Sequence, residues 1–189
     1  MFHWIQMKNL LTNFKQAAGF TLIELLVVIG ILGILASALV ATIDPFEQLN
    51  KANDTNVKNT SVEYINANIR WYTTHNAFPW NQVVDGGAAC NGQQPPNAIL
   101  LTDANMAGCI DALISDRELK PAFKTAKNQL KEIYATYDVP TGQLIACFKP
   151  KSASQQKDPN TKYTSSGADG GATCKSQPNG TADCYWCAK

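Results

Sequence analysis

Glu24 is a lone carboxylate in the apolar run from Phe20 to Ile43, five residues past the small-residue step Ala17-Ala18-Gly19. A charged side chain at membrane depth costs about 2.5–3.5 kcal/mol on insertion scales and is therefore expected to have a job. Other reactive groups are sparse. The histidines are His3 and His75, far apart in the chain. No serine or cysteine stands in a nucleophile-elbow pattern, no phosphate loop occurs, and no cluster combines histidine with carboxylates. The sequence argues against an enzyme and points instead to Glu24 and to the six cysteines, all of which lie beyond the apolar run.

The elements around Glu24 set its environment. The run of 24 residues would make a helix of about 36 Å, enough to cross a bilayer core of about 30 Å. Residues 1–19 carry Lys8 and Lys15 and no acid, so the positive-inside rule places them in the cytoplasm and the residues after Ile43 outside. An ordinary signal peptide has its small-residue cleavage step after the apolar run. Here the step precedes it, so cleavage at Gly19 would keep the run and make it the new N-terminus. Sixteen basic and fifteen acidic residues nearly balance over the 189-residue chain, which argues against a general nucleic-acid or polybasic membrane role. Removing residues 1–19 leaves fourteen basic against fifteen acidic residues, a charge of −1.

Gly19 followed by Phe20-Thr21-Leu22-Ile23-Glu24-Leu25-Leu26-Val27-Val28-Ile29-Gly30-Ile31-Leu32 resembles the prepilin cleavage and methylation motif of type IV pilins and type II secretion pseudopilins. The match covers roughly residues 17–45. The resemblance implies that a prepilin peptidase cuts between Gly19 and Phe20 and methylates the new Phe20 amine. The subunit would wait in the membrane and then be lifted by an inner-membrane assembly platform into a helical homopolymer of identical subunits. There Glu24 would pair with the Phe20 amine, neutralising two groups that are each costly alone in low dielectric. Two features depart from the family. A start at Met1 makes the leader long, whereas Met7 would give a more typical one. The proline that many members place late in the hydrophobic helix stands here just after it, as Pro45.

Gly33, Ser37 and Ala41 are four apart and form a small-residue stripe suited to close helix-to-helix packing; an ordinary membrane helix also carries such glycines. Past Asp44-Pro45, Val57, Val62, Ile65, Ile69 and Tyr72 recur at helical spacing and predict an amphipathic second half, stopped at Phe78-Pro79. Residues 81–97 read as a Gly/Asn/Pro-rich loop. A short helix is expected over Cys109–Glu118, with Ile110, Leu113 and Ile114 on its apolar side. Alternation at Ile133, Ala135 and Tyr137, a turn at Pro140-Thr141-Gly142 and a return over Leu144–Phe148 predict a hairpin. Residues 151–183 read as a polar loop, and "CYWCAK" as the last strand. The expected fold is α+β, the pilin layout. A leader (1–19), a hydrophobic helix (20–43) and its amphipathic continuation (44–78) lead into a small antiparallel head (79–189) held by disulfides.

Six cysteines in an exported head favour disulfides, and fifteen pairings are possible. The layout suggests Cys90–Cys109 across the middle loop, Cys147–Cys187 between hairpin and last strand, and Cys174–Cys184 within the final loop. A zinc site from the last four cysteines and a redox pair at Cys184/Cys187 are the alternatives. Asp158, Asp169 and Asp183 in the final loop are candidate calcium ligands by resemblance to certain pseudopilins, though their spacing is not an EF-hand. Arg117, Lys120, Lys124, Lys127 and Lys131 would form one basic face if helical, able to touch DNA phosphates. Pro121 interrupts that helix, and a solvated charged face is the commoner explanation. Trp71, Tyr72, Phe78 and Trp80 read as core packing where the helix meets the head.

The leading expectation is a structural subunit of a type IV pilus-like filament. It would be a single-pass membrane protein before assembly and part of a surface filament after it. A pseudopilin of a secretion or DNA-uptake system is the second expectation. A membrane-tethered binding domain that never polymerises is the third, against which Gly19 and Glu24 speak together. No cofactor beyond the calcium candidates is expected.

Overall fold

The structure, a computed structural model, describes residues 19–42, 44–81, 83–84, 87–88, 98–171, 174 and 183–189. It divides into two compact units, Met1–Asp44 and Pro45–Lys189.

In the first unit, α1 spans Leu22–Thr42. Its Leu22–Val40 stretch of 19 residues is long and apolar enough to cross a membrane. Helical structure is interrupted at Asp44, where the sequence suggested one continuous helix. Pro45 supplies the reason: its ring disfavours the helical conformation at the residue before it, while the missing N–H is harmless at a first helical position.

The second unit opens with α2, Pro45–His75. Asn76 ends it in the left-handed region at φ 52°, its N–H donating to the Tyr72 carbonyl at 2.8 Å. Asparagine tolerates that conformation at a helix C-terminus, so the helix stops before Phe78-Pro79 is reached. Its buried side chains are Asp54, Val57, Ser61, Tyr64, Ile65, Ala67, Asn68 and Trp71. This corrects the apolar face drawn from the sequence. Val57 and Ile65 are buried, but Val62, Ile69 and Tyr72 remain 38%, 49% and 44% exposed. The inward stripe carries polar residues whose donor groups find carbonyls in the preceding turn. Ser61 Oγ donates to the Val57 carbonyl at 2.9 Å, and Asn68 Nδ2 to that of Tyr64 at 2.8 Å. Burying a polar group is tolerable once it is hydrogen-bonded.

Two short strands, β1 (Val83–Val84) and β2 (Gly87–Ala88), pair antiparallel within the segment expected to be loop. After β3 (Ile99–Leu100) comes α3 (Ala104–Ser115), capped by Asp103, whose side chain accepts from Asn105 N–H at 2.9 Å. A 3₁₀ turn, Pro121–Thr125, and the single-turn α4, Lys127–Leu130, lead to the hairpin of β4 (Ile133–Asp138) and β5 (Gln143–Phe148). This is the hairpin that the alternation predicted, and its register runs from Ile133 opposite Phe148 to Asp138 opposite Gln143. Gly142 adopts φ 68° in the connection, a conformation glycine enters without a Cβ penalty. The chain closes with α5 (Ala153–Gln156), β6 (Thr161–Tyr163) and β7 (Tyr185–Ala188).

Five described strands form one sheet in the order β3-β4-β5-β7-β6, every pairing antiparallel. The expected α+β head is present. The strand β6 and the turn α5 lie within the stretch read as polar loop. Their residues, Thr-Lys-Tyr and Ala-Ser-Gln-Gln, are too few and too polar to show a period. The main core lies where Val57, Tyr64 and Trp71 of α2 meet Met106 and Leu113 of α3 and Ile133, Ala135 and Phe148 of the hairpin.

Candidate functional site

The N-terminal unit builds its site from a helix start. Thr21 precedes α1, and Glu24 stands in the first turn. Glu24 Oε2 accepts from Thr21 N–H at 2.9 Å and from Thr21 Oγ1 at 2.8 Å. Thr21 Oγ1 in turn accepts from Glu24 N–H at 3.3 Å. This is a reciprocal capping box, Thr-x-x-Glu, which satisfies amide donors that the first helical turn leaves without intrahelical partners. The sequence reading assigned Glu24 only to the Phe20 amine. The spacing of threonine and glutamate just before an apolar run was the signal for this further role.

Phe20 is exposed, as are Leu22, Ile23, Leu25 and the other large apolar residues of α1. No described atom lies within 4 Å of a Cβ built at Gly19, Gly30 or Gly33, so packing within the described chain does not require a glycine there. Ser37 Oγ donates to the Ile34 carbonyl at 2.8 Å. That internal bond satisfies its hydroxyl while its small side chain stays compatible with close helix approach. Ala41 falls within α1.

In the head, Cys147 and Cys187 are register partners on β5 and β7 and are joined by a disulfide, with Cα atoms 4.1 Å apart. A second disulfide joins Cys174 and Cys184. Cys109 is disulfide-bonded as well; Cys90, its expected partner, lies outside the described residues. These bonds overturn both alternatives for the last four cysteines. A sulfur in a disulfide is not a thiolate ligand for zinc, and Cys184 and Cys187 are bonded to different partners.

The three candidate calcium ligands have separate local roles. Asp158 Oδ1 accepts from Asn160 N–H at 2.8 Å. Asp169 Oδ1 accepts from Gly171 N–H at 2.9 Å. Asp183 pairs with Lys149 Nζ at 2.5 Å, and this hydrogen bond raises the Lys149 pKa above its ordinary value. Among the described residues no three His, Cys, Asp or Glu side chains gather to hold a metal ion. The basic residues are likewise divided: Arg117 lies in the turn after α3, Lys120 just before the 3₁₀ turn, Lys124 within it, Lys127 in α4 and Lys131 just past it, so they share no single helix face. Lys124 pairs with Asp111.

The aromatics behave as core. Trp71, Phe78 and Trp80 are buried, and Tyr72 flanks them half-exposed. The Phe78 and Trp80 rings stack at 4.7 Å, with Tyr137 edge-on to both. His75 stacks on Trp71 at 4.1 Å, and its Nδ1 lies 3.7 Å from Asp116.

No curated protein and no solved structure matches the chain. The family described as the prokaryotic N-terminal methylation motif matches residues 14–40, a stretch that contains Gly19, Phe20, Thr21 and Glu24. The motif and the apolar α1 together fit membrane anchoring and processing by a prepilin peptidase. Residues 14–40 therefore carry the prepilin-type methylation signature found in type IV pilins and pseudopilins.

Proposed function

We propose that the chain is a structural subunit of a type IV pilus-like extracellular filament. The observation that carries this reading is a carboxylate in the first turn of an exposed apolar helix, directly after a Gly19-Phe20 step. Cleavage there frees an amine four residues before Glu24, within one helical turn. In lipid an unpaired carboxylate is costly. Pairing it with the Phe20 amine of the same or a neighbouring subunit removes that cost and favours assembly of identical subunits. The small stripe of Gly33, Ser37 and Ala41 lets adjacent helices approach as α1 leaves the bilayer for the filament core. Disulfides brace the exported head, where the oxidising compartment lets them persist.

Electron microscopy of sheared surface filaments, with mass spectrometry of the subunit, tests the reading. Long filaments built from a chain that begins at methylated Phe20 support it. Short assemblies that never reach the surface favour a pseudopilin of a secretion or DNA-uptake system. An uncut chain confined to the membrane overturns both.

A further inference from the structure

A cleft of about 820 Å³ opens on the head between α2, the start of β4 and the end of β5. All its lining residues belong to the second unit, and nothing in the filament reading uses them. Its size falls in the range of about 300–1,000 Å³ typical of small-molecule sites. Lys131, Lys149 and Lys151 line it together with Tyr134 and Tyr185, whose rings meet edge to face at 5.8 Å.

The charges in the cleft do not cancel. Lys151 Nζ is held by Glu132 Oε1 at 2.6 Å, and Lys149 Nζ by Asp183 Oδ1 at 2.5 Å. Lys131 has only the Asn128 side-chain oxygen, at 3.4 Å, and no carboxylate partner among the described residues. One cation is therefore in surplus, beside the Glu132 carboxylate and the side-chain amides of Asn50 and Gln156, which also line the cleft.

That combination discriminates between anions. A nucleic-acid strand presents a phosphate at every step, binds through a strongly positive groove and stacks its bases on aromatic faces. Here it would meet Glu132 between the lysines, with Asp183 bound to Lys149 beside the cleft, and repulsion would offset much of the gain. A carboxylated sugar presents one negative charge with several hydroxyls around it. Its charge suits the surplus ammonium, its hydroxyls need the acceptors and donors that Glu132, Asn50 and Gln156 supply, and its apolar ring face suits a tyrosine.

We propose that this cleft binds a short acidic oligosaccharide, with Lys131 meeting a sugar carboxylate and the Tyr134–Tyr185 pair carrying a sugar ring. The test is calorimetric titration of the full chain in detergent micelles with trigalacturonate, maltotriose and a short oligothymidylate. The expected result is saturable binding of trigalacturonate that weakens as salt is raised, with maltotriose at least tenfold weaker. Lys131→Gln, an exposed change remote from the core, should weaken trigalacturonate at least fivefold, and Tyr185→Ser should do so by a similar factor. No saturable binding of trigalacturonate overturns the proposal. So does undiminished binding by Lys131→Gln, or tighter binding of oligothymidylate, which would assign the cleft to nucleic acid. Each result is independent of whether the chain forms filaments.

Discussion

Asp54 Oδ2 accepts hydrogen bonds from Ser152 Oγ at 2.6 Å and from Ser152 N–H at 2.8 Å, across 98 residues of chain. Asp54 is 2% exposed, and its other oxygen takes the Lys151 N–H at 3.0 Å. Ser152 Oγ also receives the Gln155 N–H at 3.4 Å, capping α5. The carboxylate thus binds the first third of α2 to the segment leaving β5. Glu47 repeats the pattern two turns earlier, accepting from Ala153 and Ser154 N–H at 3.1 and 3.2 Å.

Asp54→Ala should destabilise the head by about 2–4 kcal/mol, because it leaves amide donors buried without partners and hydrogen bonds to a charged group are the stronger kind. Ser152→Ala, which removes one donor and a cap, should cost only about 1 kcal/mol. Urea denaturation followed by tryptophan fluorescence measures both, and an Asp54→Ala midpoint equal to wild type would show that the lock contributes nothing.

Glu24→Val should leave cleavage at Gly19 largely intact and sharply reduce incorporation into filaments, since the freed amine loses its partner. Gly19→Val should instead leave a longer, membrane-bound precursor. Immunoblots of membrane and sheared fractions separate the two outcomes. Normal filament yield from Glu24→Val would remove the pairing role and leave only the capping box with Thr21.

Replacing Cys147 and Cys187 together by serine should cost about 2–4 kcal/mol, since their bond closes a loop with a sequence separation of 40. Thermal unfolding with and without reductant checks this. Reduced wild type should fall to or below the oxidised double variant, because reductant opens the other disulfides as well, and a variant as stable as oxidised wild type would contradict the prediction.

Tyr64 is wholly buried, and burial pushes its ionisation well above the ordinary tyrosine range, against a small opposing pull from Asn68. The unfolded side chain ionises near pH ~10, so above that pH the unfolded state sheds a proton that the folded state keeps. Stability should therefore fall as pH rises past about 10. Tyr64→Phe should flatten that alkaline loss. It should be near neutral at pH 7, because the hydroxyl has no hydrogen-bond partner of good geometry. An unchanged alkaline slope in the variant would assign the loss elsewhere, with Lys149 the next group to examine.

The cleavage motif, the apolar span and the β4–β5 hairpin are legible in the sequence because each rests on local chemistry: a fixed spacing, an uninterrupted apolar run, or alternation around a Pro-Thr-Gly turn. The capping box is equally local, since it needs only a threonine and a glutamate three residues apart. Tertiary structure decided what locality cannot. The face that α2 buries depends on what lies opposite it. Asp54 turns inward because Lys151 and Ser152 offer it donors from the far side of the fold, and Ser61 and Asn68 can be buried beside it because each donates to a carbonyl of α2 itself, while Val62 and Ile69 stay half-exposed on the flank. Strand pairing likewise brings Cys147 and Cys187 into register, and so selects their bond from the fifteen arrangements that composition allows. The acidic-sugar cleft gathers residues from α2, β4, α5, β7 and the connections before β4 and after β5 that no window of sequence holds together.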